Sequence, residues 1–92
     1  MNIVIVGNPK TNSETIKNLA NSLSEEGLHV RYPTVSDSSA DGDLGIIQAF
    51  ERIDWANLVI AVPRDGLNLE YATTSEIAYA KHAKKPVLLY YN

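Results

Sequence analysis

Three short apolar stretches, Ile3–Val6, Leu58–Val62 and Val87–Tyr91, constrain this chain most. Each is an unbroken apolar run of four or five residues, not an alternation of apolar with polar, and for Ile3–Val6, which ends at Gly7, that is how a strand covered on both faces reads. Such strands belong to parallel sheets, whose crossover connections lay helices over both faces.

The intervening segments carry helical period. Thr11 stands three residues before Glu14, the spacing of a capping box. Ile16, Leu19, Ala20 and Leu23 then recur until Gly27 offers a left-handed stop, which predicts a helix near residues 12 to 26. Leu28–Tyr32 reads as a short strand closed by Pro33. Ile46, Ile47, Phe50 and Ile53 form the expected buried stripe of a second helix from about Asp43 to Asp54, with Trp55 near its end. A third helix is expected to start near Thr73, turn Ile77, Ala78 and Ala80 inward and stop at Lys84-Lys85-Pro86. Thr34 to Asp43, rich in Ser, Asp and Gly, reads as the mobile loop. Strand and helix alternate throughout, so the expected fold is α/β: a flavodoxin-like or Rossmann-like three-layer sandwich on a parallel sheet of four strands in order 2-1-3-4. Residues 1–92 read as a single domain, since no repeat or linker interrupts them.

Charge and composition narrow the function. A formal net charge of -3 with no basic stripe argues against a nucleic-acid partner. The absence of cysteine removes disulfides, thiolate catalysis and Cys-based metal sites. His29 and His82 have no ligand-spaced partner, and Asp37, Asp41 and Asp43 do not fit a calcium loop, so no metal is expected. No Gly-x-Ser-x-Gly or lysine-bearing phosphate loop is present. The apolar start is too short for a membrane span and lacks the basic flank of a signal peptide, which makes a cytoplasmic location the expectation.

In the order 2-1-3-4 the winding reverses between the first and third strands, so the loops after them part and open a cleft. Those loops are Gly7 to Thr11 and Pro63 to Thr73. They bring Gly7, Asn8, Pro9, Lys10, Arg64, Asp65, Gly66, Thr73, Thr74 and Glu76 to one mouth, beside two helix N-termini suited to an anionic or hydroxyl-rich ligand. Two readings of Glu76 stand together. As the residue three after Thr73 it completes a capping box; as a carboxylate at the cleft it is a candidate for chemistry.

The second half of the chain resembles the nucleoside 2-deoxyribosyltransferases and their relatives, the deoxynucleoside 5'-monophosphate N-glycosidases. The matching residues are Ala61-Val62, Asp65-Gly66, Thr73, Glu76-Ile77, Tyr79-Ala80 and Lys85-Pro86-Val87, with Gly7 and Pro9 similar to the end of the family's first strand. The resemblance implies cleavage or transfer of an N-glycosidic bond, with Glu76 attacking the anomeric carbon and Asp65 binding a sugar hydroxyl or the base. Gly7, Asn8, Pro9, Lys10, Arg64, Gly66, Thr73 and Thr74 would hold a nucleoside or its 5'-monophosphate, with no cofactor. A helix N-terminus is expected to favour the ionised form of Glu76.

Two positions depart from the family. Ala72 stands where a glycine is usual, and Ala49 falls where the family has an aspartate that assists the base. A non-catalytic nucleotide-binding module is therefore the second reading. An FMN-binding flavodoxin-like protein is the third, since Asn8 to Thr15 is polar and hydroxyl-rich, although the Pro63 to Glu70 loop offers no aromatic flank for the flavin ring. The apolar Val87–Tyr91 strand at the sheet edge predicts a homodimer or higher homo-oligomer.

Overall fold

A computed structural model describes residues 1–8, 12–33, 42–62 and 71–90. Strand β1 (Asn2–Val6) leads through helix α1 (Ser13–Glu25) to β2 (His29–Arg31), and helix α2 (Gly42–Trp55) leads to β3 (Leu58–Ala61). Helix α3 (Tyr71–His82) and β4 (Val87–Leu89) complete the described elements. The strands pair in parallel in the order β2-β1-β3-β4, with Ile3 beside Leu58 and Val59 beside Val87. This is the expected sheet.

The runs of β1 and β3 are continuous because both faces of those strands are covered. Val4, Val6, Val59 and Ala61 point to one side, where they pack with Ile53 of α2, Ala56 and Ile77 and Ala80 of α3. Ile3, Ile5, Ile60 and Val62 point to the other, against Ile16 and Ala20 of α1. Period-two alternation thus feeds two separate cores. Ile5 and Ile53 are fully buried, and trimming either to Ala would cost about 2–5 kcal/mol.

The helix ends explain several boundaries. Helix α1 stops as expected at Gly27, whose φ is +86°. The Gly27 and Leu28 amides donate back to the carbonyls of Ser24 and Leu23. At the other end of α1 the capping box is not formed. Asn12 occupies the cap without a side-chain capping bond and the Asn12 amide donates to the Asn8 carbonyl, which leaves Glu14 one residue short of the box position. Helix α3 ends by the same device as α1, but with Lys84 at φ +61°. The Lys84 amide donates to the Lys81 carbonyl and the Lys85 amide to that of Ala80.

Two residues assigned inward lie outside the core. Ile47 is 51% exposed, and Ala78 is also exposed, because each falls beyond the arc that its helix turns to the sheet. Gly42 and Asp43, read as loop, belong to α2; the rest of the Thr34 to Asp43 segment lies outside the described residues. At the edge of the sheet, Leu88 and Leu89 of β4 are exposed to solvent.

Candidate functional site

The strand ends set the geometry. β1 and β3 are adjacent and parallel, and the Val62 amide donates to the Val6 carbonyl at 2.8 Å, so the chain leaves both strands at one edge of the sheet. From that edge α1 follows β1 onto one face and α3 follows β3 onto the other. The winding therefore reverses there, which is the condition for a crevice at the strand ends.

Gly7 lies buried at this point, and packing accounts for its lack of a side chain. A Cβ there would sit 3.1 Å from the Val62 carbonyl oxygen and 3.2 Å from Cδ1 of Ile16. Asn8 follows, half-buried, its carbonyl engaged by Asn12. Pro9, Lys10, Arg64, Asp65 and Gly66 lie outside the described residues. Thr73 is the third residue of α3, and Thr74 beside it is exposed.

Glu76 is the sixth residue of α3, since the helix begins at Tyr71 and not near Thr73. Two expectations change with that register. Thr73 lies within the helix, so Thr73 and Glu76 do not form a capping box. The carboxyl also stands beyond the first turn, where the helix dipole acts most strongly. Half-buried, it is pushed by desolvation from the ordinary 4.5 up to about 7, while the Arg52 guanidinium pulls it down. The expected bias toward the ionised form is therefore reversed in the free protein, because burial outweighs the dipole and the Arg52 cation. Near neutral pH such a group is close to half protonated, the state from which a carboxyl can give or take a proton or, once ionised, attack.

Helix α2 supplies what the resemblance did not single out. Ala49, at the position of the family's aspartate, is 5% exposed and brings no carboxylate. Arg52, three residues on and so on a neighbouring part of the same helix face, brings a cation instead. Gln48, beside Ala49, has a buried Oε1 with no hydrogen-bond partner among the described residues.

Helices α2 and α3 are fastened by one tyrosine. The Tyr79 ring stacks on Phe50 with centroids 4.0 Å apart and planes 4° from parallel. The Tyr79 hydroxyl donates to Oδ1 and Oδ2 of Asp54 at 2.8 and 2.9 Å, and Lys85 Nζ donates to the Asp54 carbonyl at 3.2 Å. The hydrogen bond to Asp54, then desolvation, then the Asp54 charge raise the Tyr79 hydroxyl above its ordinary pKa. At the end of α2, the Arg31 guanidinium lies 4.3 Å from the centre of the Trp55 ring. Among the described residues no group of three or more His, Asp or Glu side chains is placed to hold a metal ion, and no helix is long and apolar enough to cross a membrane.

No protein-family model matches the chain, and no curated protein matches it by sequence. Solved structures do. The Clostridium botulinum CMP N-glycosidase BcmB superposes with a TM-score of 0.76 at 21% identity, covering 99% of this chain and 69% of its own. The 2-desoxiribosyltransferase from Leishmania mexicana superposes with a TM-score of 0.72 at 21% identity, covering 98% of this chain and 63% of its own. At that identity the likeness speaks for architecture, and it is the architecture that the motif between Ala61 and Val87 implied. The chain shares the fold of these two proteins.

Proposed function

We propose that this protein cleaves or transfers the N-glycosidic bond of a deoxynucleoside or its 5'-monophosphate, with Glu76 as the nucleophile. The observation that carries the proposal is the Glu76 carboxyl itself: half-buried, raised to about 7, near one guanidinium, on the helix that follows the strand beside β1. Breaking the bond builds positive charge on the sugar, and a carboxylate under the anomeric carbon answers that charge. The Glu76 oxygen forms the new bond to the anomeric carbon as the carbon–nitrogen bond breaks. The bonding pair leaves with the base, which takes up a proton. Water or a second base then displaces the glutamate and restores it. The positive charge that builds on the sugar, together with Arg52, favours the ionised form of Glu76 at the moment of attack.

The remaining assignments follow from this chemistry. Asp65 serves as the second carboxylate, toward a sugar hydroxyl or the base. Gly7, Asn8, Pro9, Lys10, Arg64, Gly66, Thr73 and Thr74 line the sugar and phosphate side, and the reaction needs no cofactor. A cytoplasmic setting suits a substrate of this kind. A homodimer through the β4 edge would cover Leu88, Leu89 and Tyr90, which are 55%, 49% and 38% exposed.

Base release from a panel of deoxynucleosides and their monophosphates, followed by chromatography, tests the reading. Product formed by the wild type and abolished in Glu76→Ala supports it; a wild type inactive across the panel contradicts it. The buried Ala49 favours one alternative, a nucleotide-binding module without turnover. In that case nucleotides would raise the melting temperature while no base is released.

A further inference from the structure

Phe50 and Asp54 lie one turn apart on α2, and Tyr79 touches both, its ring on the first and its hydroxyl on the second. Arg52 lies between those two anchors in sequence, and Glu76 lies one turn before Tyr79 on α3. Contact at two heights along α2 resists both sliding and rotation, which a single contact would not. Lys85 holds the last turn of α2 from the segment that follows α3. We propose that Tyr79 is a positioning residue: by clamping α2 at Phe50 and Asp54 it fixes the helix that carries Arg52 against the helix that carries Glu76. The inference rests on the reading of Glu76 as the reacting carboxylate, and it adds a residue that never touches the substrate.

The surroundings make this coupling specific. The described elements bring three charged groups to the interface: Arg52 and Asp54 from α2, and Lys85 from the turn after α3. Asp54 is engaged with Tyr79 and Lys85, and the strands beneath present Val4, Val6, Val59 and Ala61. Arg52 is thus the cation whose placement the clamp sets. A shift of α2 by a fraction of a turn would weaken its field at Glu76 without disturbing the apolar floor.

Carbon-detected NMR titration of the Glu76 carboxyl in the ligand-free protein tests the clamp. Arg52→Gln should raise the midpoint above the wild-type value by about 0.5–1 pH unit, the loss of a nearby opposite charge. Tyr79→Leu should raise it by a comparable amount, and Arg52→Gln combined with Tyr79→Leu should raise it no further than Arg52→Gln alone. Tyr79→Phe keeps the ring on Phe50 but loses the bond to Asp54, so its midpoint should rise by part of the Tyr79→Leu shift. Phe50→Leu removes the stack from the other side and gives the same test if Tyr79→Leu does not fold. A wild-type midpoint in both leucine variants, or strictly additive shifts in the double variant, overturns the proposal. Because the titration needs no turnover, it separates from the glycosidic reading. Coupled midpoints in a protein without base release support the clamp and remove its reaction, whereas base release with uncoupled midpoints removes the clamp alone.

Discussion

Replacing Glu76 by Gln should make this protein more stable above neutral pH, and by an amount that depends on pH in a set way. The neutral amide keeps the shape of the side chain and discards the charge that burial penalises. In the wild type the folded-state pKa of about 7 lies above the ordinary 4.5. The neutral carboxyl therefore contributes stability that is fully present below about 4.5 and is lost as pH rises through about 7. That interval, at about 1.36 kcal/mol per pH unit, amounts to about 3 kcal/mol. Against a total of roughly 5–14 kcal/mol for a chain of this size, such a difference is easily resolved. Urea denaturation of both proteins, followed by circular dichroism from pH 4 to pH 8, measures it directly. Groups common to both proteins cancel in the difference. The gain of Glu76→Gln over the wild type should be least at pH 4, grow between pH 5 and 7 and level off near pH 8. A difference that stays flat across the range would refute burial as the dominant cause, and one that grows toward acid would reverse its sign.

Three further outcomes follow from the packing. Lys84→Gly should stabilise the protein by about 1 kcal/mol in the same denaturation assay, since glycine adopts the left-handed φ of +61° without a Cβ penalty; a loss of stability would contradict the reading of that helix end. Gly7→Ala should cost about 1–3 kcal/mol, because its Cβ would press on the Val62 carbonyl and on Ile16, and an unchanged midpoint would show that the two neighbours yield freely. Light scattering should give at least twice the chain mass at micromolar concentration, with Leu88→Lys returning the monomer, whereas a monomer mass in the wild type would remove the β4 edge as an interface.

Much of the architecture was legible because the signals were local and strong. Ile3–Val6 and Leu58–Val62 announce strands covered on both faces, and Gly27 marks the end of α1 by its backbone alone. Strand order followed from short right-handed crossovers, which leave few alternatives. The start of α3 was missed for a physical reason. Thr73 followed by Glu76 matches a capping box, yet the helix already runs from Tyr71, which moves Glu76 from a capping position to the second turn. Glu76 stood out in the sequence as a candidate, and the groups that the fold packs around it did not. Arg52 and Tyr79 reach their roles through the packing of α2 on α3, a long-range contact that no spacing within either helix encodes. The sense of the Glu76 shift was hidden for the same reason, since burial depends on what the fold lays over the carboxyl.

The pH dependence of kcat/KM for base release tests the central claim most directly, because it reports the ionisation that the free enzyme needs. A nucleophile must be ionised, so with Glu76 near 7 the rate should climb about tenfold per pH unit below that value and level off above it. In Arg52→Gln the same rising limb should move to higher pH. A profile that falls above pH 7 would make the protonated form the active one, and a level profile from pH 5 to 9 would take Glu76 out of the chemistry; either result would contradict the assignment.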